Sequence, residues 1–184
     1  EIHERLVGSE MCIRDRNTQY HYQYTDNYTG DDSIWSAEYD YTTKATDKFS
    51  VILTGDPQVG ASGSSSDYSA NDASVARDAY NWNKTMQQAL KTCPDASFLL
   101  SAGDQINQSG ATKDNDKKTR ESEYAGYLYP SVFRSLPIAA TIGNHDMAGS
   151  DYSAHFNNPN SEDKLGSTAC LLYTSPSPRD AHES

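Results

Sequence analysis

Three short stretches of the chain carry side chains that can bind cations or move protons. They are Gly55-Asp56-Pro57-Gln58, Gly103-Asp104-Gln105-Ile106-Asn107 and Gly143-Asn144-His145-Asp146. Each follows an apolar run: residues 49–54 (FSVILT), 97–102 (SFLLSA) and 136–142 (LPIAATI). Carboxylates and amide oxygens are hard donors for divalent ions, and an imidazole adds a proton donor or acceptor. Open α/β sheets place their sites at the carboxyl ends of strands. A single Gly-Asp is a common turn, and an isolated Asn-His-Asp reads as a capped loop. Three such ends behind three apolar runs point to one shared site.

The elements around these ends read as α/β. Residues 20–24 (YHYQY) alternate aromatic and polar side chains, and residues 34–41 form a second strand antiparallel to them, with turn chemistry between. Such a hairpin alone is marginal in water, so it is expected to be poorly ordered, with His21 on its surface rather than acting as a ligand. Residues 44–48 read as a linker. The near-continuous apolar run at 49–54 predicts a strand covered on both faces. Residues 60–69 (GASGSSSDYS) predict a mobile loop near the site, without a Lys at phosphate-loop spacing. Asn71 or Asp72 caps a helix running to about Thr92, with Val75, Ala79, Trp82, Met86, Ala89 and Leu90 on its apolar face. Pro94-Asp95 ends it, and a β-α-β unit with a right-handed crossover follows. Residues 108–119 read as a charged, solvated loop containing Lys113, Lys117 and Lys118. A second helix is expected from Arg120 to about Ser135, interrupted by Pro130 and turning Tyr124, Tyr127, Leu128 and Phe133 inward. Residues 147–169 read as loop, with Tyr152, His155 and Phe156 over the site mouth and His155 a minor candidate ligand.

Charge narrows the partners. The 184 residues carry 15 Lys and Arg against 26 Asp and Glu, a net charge of −11. That balance argues against nucleic acid and anionic membrane as partners. No apolar run approaches the roughly 20 residues of a membrane span, so no membrane insertion is expected.

The two ends read as foreign sequence. Residues 170–180, back-translated and read from the opposite strand in another frame, encode residues 6–15. One inverted DNA element thus accounts for both tails, and it resembles a transposase-type sequencing adapter. Residues 1–16 and 170–184 are therefore expected to be non-native and are set aside for fold reasoning. Cys12 and Cys170 go with them, leaving Cys93 alone and no disulfide framework. A signal peptide is not present, which carries no weight if the native start is missing.

The order and spacing of GDPQVG, GDQIN and GNHD resemble the first three motifs of the calcineurin-like metallophosphoesterases. The likeness is to the bacterial branch related to purple acid phosphatases. It implies that residues 49–169 are the N-terminal half of a β-sandwich-type α/β/α metallophosphoesterase domain. Residues 17–43 would be the last hairpin of a fibronectin-like β-sandwich, with Trp35-Ser36 and Tyr41-Thr42-Thr43 at the places the family uses. The activity implied is metal-dependent hydrolysis of a phosphate ester, a monoester by preference. Two divalent or trivalent ions (Fe, Mn, Zn or Mg) about 3.5–4 Å apart clamp the phosphate and ionise a bridging water in such sites. By resemblance Asp56 binds the first metal, Asp104 bridges both and Asn144 binds the second. His145 acts on the phosphate or leaving oxygen, and Asp146 orients its imidazole. Secretion or a cell-surface location is likewise implied only by the family.

Two positions depart from the pattern. Gln58 stands where most members have His, and Asn107 where purple acid phosphatases have the Tyr that gives their colour. A colourless site is therefore expected, with Gln58 or Asn107 a possible source of a carbonyl ligand. The family's later motifs, a lone His and then Gly-His-x-His, have no match, since His155 lies too close and His182 falls in the foreign tail. The chain as it stands is expected to bind metal weakly and to be inactive. The alternative is a non-catalytic surface or ligand-binding module on the same fold.

Overall fold

The structure is a computed structural model that describes residues 17–26, 28–30, 34–45, 47–63, 72–156 and 158. The element order is β1 (Gln19–Tyr22), β2 (Tyr39–Thr42), β3 (Ser50–Thr54), α1 (Asp72–Thr92), β4 (Ala96–Ser101), α2 (Asp114–Leu128), β5 (Ile138–Ala140) and α3 (Tyr152–His155). Short 3-10 turns lie at Ser131–Arg134 and Asp146–Ala148. The architecture is mixed α/β: β3, β4 and β5 form a parallel sheet in that order, and β1 pairs antiparallel with β2.

Alternation along the parallel strands sorts the core. Ile52, Leu99 and Ile138 are register partners, so their side chains share one face of the sheet. Leu99 is fully buried there, in one cluster with Val75, Trp82 and Met86 of α1 and Tyr124 and Tyr127 of α2. Val51 with Phe98 and Leu53 with Leu100 turn to the opposite face. Leu53 is 69% exposed and Phe49 60% exposed. The expectation that this strand is covered on both faces is therefore not met. Among the described residues β3 pairs with β4 alone, and its outer face is open.

α1 follows its sequence closely. Val75, Ala79, Trp82 and Met86 are buried, Ala89 and Leu90 pack at the margin, and Asp72 and Lys91 complement the helix dipole at its two ends. α2 starts earlier than its sequence suggests, at Asp114 rather than Arg120. Asp116 supplies the start by accepting the Lys113 N–H at 3.2 Å. Lys117 and Lys118 are thus exposed helix residues rather than loop. The α-helix ends at Leu128, short of the expected Ser135, and past the break at Pro130 the chain continues as the 3-10 turn instead of a resumed α-helix. α1 and α2 approach closely at Gly126, where a Cβ would stand 2.9 Å from Val59 Cγ1 and 3.0 Å from Val75 Cγ1. Trp82 stacks on Tyr127 and donates its indole N–H to Tyr127 O at 3.0 Å.

The N-terminal hairpin is not free-standing. Tyr22 Oη donates to Arg134 O at 2.7 Å, Ser135 Oγ donates to Asp40 O at 3.0 Å, and the Arg134 guanidinium lies over Tyr39. The expectation of a poorly ordered hairpin overlooked this docking onto the 3-10 turn.

Candidate functional site

The three motif stretches converge because β3, β4 and β5 are parallel neighbours and release their chains on one side. Asp56 N–H donates to Gly103 O at 3.2 Å, and Gln58 N–H donates to Asp104 O at 3.0 Å. Val59 and Ile106 then form a parallel bridge beyond the strand ends. The second and third stretches meet backbone to backbone. A Cβ on Gly103 would stand 2.9 Å from Gly143 Cα, and one on Gly143 would stand 2.0 Å from Asp104 Oδ1. Glycine at 143 is thus required by contact.

Asp56, Gln58 and Asp104 adopt positive φ angles of 59°, 38° and 51°. Left-handed backbone costs about 1–2 kcal/mol at a non-glycine residue, and such strain gathers at sites where surrounding structure enforces it. Here two strand ends cross-linked by main-chain hydrogen bonds supply that enforcement.

The side chains are joined as well. Gln58 Nε2 donates to Asp56 Oδ1 at 2.7 Å, and Asp104 Oδ1 accepts the His145 N–H at 2.9 Å. Asn144 is exposed on the turn between Gly143 and His145. His145 Nδ1 bonds the main-chain carbonyl of Asn107. A carbonyl only accepts, so Nδ1 carries the hydrogen and Nε2 of the neutral ring keeps the lone pair.

Asp146 differs from its expected role. Its carboxylate accepts the Gly143 N–H at 2.9 Å and the Tyr124 hydroxyl at 3.1 Å, so it closes the turn instead of orienting the imidazole. Burial raises its pKa, and these hydrogen bonds oppose the rise. The imidazole is oriented by Asn107, through main chain rather than side chain.

Several supporting residues were not singled out in the sequence. Arg120 is fully buried. Its guanidinium donates to Gln108 O at 2.6 Å, His145 O at 2.7 Å and Asp146 O at 2.7 Å, and it pairs with Asp151 at 2.6 Å. Glu123, also fully buried, accepts the Gln108 N–H at 2.7 Å. Burial pushes the Glu123 carboxyl up to about 7 against the hydrogen bonds and the Arg120 charge that lower it. Gln105 ties the ends of β4 and β5 by donating to Ser101 Oγ at 3.1 Å and Thr141 O at 3.0 Å. Arg120 and Glu123 sit in the charged run DNDKKTRESEY, whose composition suggests solvent, and no local signal distinguishes them.

Other expectations fall elsewhere. Tyr152 and Phe156 do not cover the site mouth but belong to the core beside β5, where Tyr152 Oη donates to Ala140 O at 2.9 Å. His155 packs on Tyr124 with ring centroids 4.5 Å apart and faces Glu121 at 3.2 Å, remote from a ligand role. The start of the Gly/Ser-rich loop is anchored, since Asp78 accepts the Gly60 and Ser62 N–H groups at 2.9 and 3.1 Å. Its residues 64–69 lie outside the described residues, as do 159–169 of the C-terminal loop and both ends read as foreign.

The donor set at the strand ends is two carboxylates (Asp56, Asp104) and two amide oxygens (Gln58, Asn144). All-oxygen sets suit hard ions such as Mg and Mn, whereas Zn and Fe sites draw on imidazole or thiolate. With Gln58 Nε2 turned to Asp56, its Oε1 is the atom left for a cation. These donor types are those a hard divalent ion takes, whereas among the described residues the His and carboxylate side chains grouped in threes or more, with ligand atoms within 4.8 Å of one another, are His21, Glu38 and Asp40 of the hairpin. No family model, curated protein or solved structure matches the chain.

Proposed function

We propose that the strand-end site belongs to a metal-dependent phosphoric ester hydrolase of the metallophosphoesterase type, acting on monoesters by preference. The observation that carries the reading is the convergence of all three motif stretches at the carboxyl ends of adjacent parallel strands, hydrogen-bonded to one another. The α/β/α layering and the fibronectin-like origin of the hairpin belong to the same proposal.

In this reading Asp56 and Asp104 hold cations through the carboxylate oxygens not already engaged, with Gln58 and Asn144 adding neutral oxygens. Bound ions would supply Lewis acidity toward the phosphate and lower the pKa of a water. His145, held at Nδ1, offers the Nε2 lone pair to accept a proton from an attacking water, and Nε2 donates to a leaving-group oxygen only once it has taken up that proton. Four oxygen donors serve two cations poorly, so this chain is proposed to bind metal weakly and to hydrolyse little.

Mn(II) titration of the chain, followed by electron paramagnetic resonance, tests the reading. Asp104→Asn and Asp56→Asn are each expected to weaken binding about tenfold or more. Unchanged binding in both variants overturns the metal site. Metal-dependent hydrolysis of an aryl phosphate by the 184-residue chain would overturn the proposal that these donors are too few. The ligand-binding alternative draws some support from Gln58, whose amide occupies an oxygen of Asp56.

A further inference from the structure

Two buried side chains one turn apart on α2 grip the same residue of the second motif loop. Arg120 donates to Gln108 O at 2.6 Å, and Glu123 accepts Gln108 N–H at 2.7 Å. The Gln108 N–H and the Asn107 C=O belong to one peptide plane, and no peptide in the described chain is cis. In a trans peptide these two groups point in opposite directions. A Glu123 bond to the N–H therefore aims the Asn107 carbonyl away from α2, and it is this carbonyl that bonds His145 Nδ1. Arg120 holds the other side of that bond, since it also donates to His145 O and Asp146 O. Asp151 locks the guanidinium from behind with two contacts, at 2.6 and 3.0 Å.

We propose that Arg120 and Glu123 are positioning residues that jointly set the His145 imidazole as its Nδ1–H tautomer, leaving the Nε2 lone pair to face a ligand. Only the catalytic consequence rests on the proposed hydrolase function; the tautomer does not. Lysine cannot replace Arg120, because a single ammonium cannot span three carbonyls and a carboxylate. Glutamine can replace Glu123, because its Oε1 accepts the same N–H.

Nitrogen-15 NMR of the ring nitrogens, with His145→Gln to identify the signal, tests this on the full chain. The parent protein is expected to show the Nδ1–H form at His145. Arg120→Ala and Arg120→Lys, where folded, are expected to lose it in favour of the Nε2–H form usual for a free imidazole. Glu123→Ala loses it too, and Glu123→Gln keeps it. The Glu123 pair decides the matter even if the Arg120 variants do not fold, and any other pattern in folded Glu123 variants overturns the clamp. A chain that keeps this pattern yet shows no cation binding removes the proposed function and leaves the clamp standing.

Discussion

The hairpin and the strand-end site each link a histidine to a carboxylate, the hairpin through the imidazole and the strand-end site through the main-chain N–H. In the hairpin, His21 and Asp40 are cross-strand partners, and Glu38 lies just before β2, two residues from Asp40. His21 Nδ1 is 2.7 Å from Asp40 Oδ1 and 3.5 Å from Glu38 Oε1, with all three side chains exposed. Cross-strand pairing accounts for His21 and Asp40, and Glu38 is a near neighbour in sequence. At the strand ends, His145 and Asp104 are 41 residues apart, and no local period brings them together. They are held by a buried guanidinium, by glycine backbones in contact and by left-handed turns. Proximity of ligating groups is thus the weaker sign of a site. Restraint maintained by partners from several loops is the stronger one.

The comparison can be broken most directly at its glycines. Gly143→Ala would drive a Cβ into Asp104 and should cost about 4 kcal/mol or more in urea unfolding. Gly30 near the hairpin has a positive φ of 78° but open space around it, so Gly30→Ala should cost only about 1 kcal/mol. Equal costs would remove the distinction between a contact-built site and a cluster built by strand pairing.

Arg120→Met comes next. It leaves the Asp151 carboxylate and three carbonyls without their donor, and a loss of about 3–5 kcal/mol is expected. A loss under 1 kcal/mol would mean that these loops hold themselves.

A third test uses pH. The buried Glu123 carboxyl is raised from 4.5 to about 7, with the Arg120 charge lowering it and the Asp78 charge raising it. The folded state then holds this proton more tightly than the unfolded chain. Its contribution is fully present below about pH 4.5 and is lost as pH rises through about 7. The parent should lose up to about 3 kcal/mol relative to Glu123→Gln between pH 4.5 and 8. Parallel stability curves for the two proteins would show that Glu123 is not desolvated as the structure has it.

The smallest effect belongs to the hairpin. His21→Ala removes an exposed pair and should change stability by less than about 1 kcal/mol. A larger loss would give this cluster a structural weight that its exposure does not suggest.

The sequence by itself determined the longer helices, the parallel strands and where the reactive groups emerge, but not the short α3 at Tyr152–His155, which lies in a stretch that reads as loop. The apolar face of α1, its stop before Pro94, the break at Pro130 and the three strand ends all follow from patterns within a few residues of each other. Tertiary structure decided what those patterns cannot express. It left β3 paired with β4 alone among the described residues, because pairing depends on which neighbours are present and not on the strand's own composition. It buried Arg120 and Glu123 within a charged run whose composition suggests solvent. A charged group is buried when enough partners converge on it, and those partners come from loops 12 to 31 residues away. Likewise the His145 imidazole is aimed by the Asn107 carbonyl and not by the neighbouring Asp146. Main-chain groups look alike in every sequence, so only the fold can choose which of them does this.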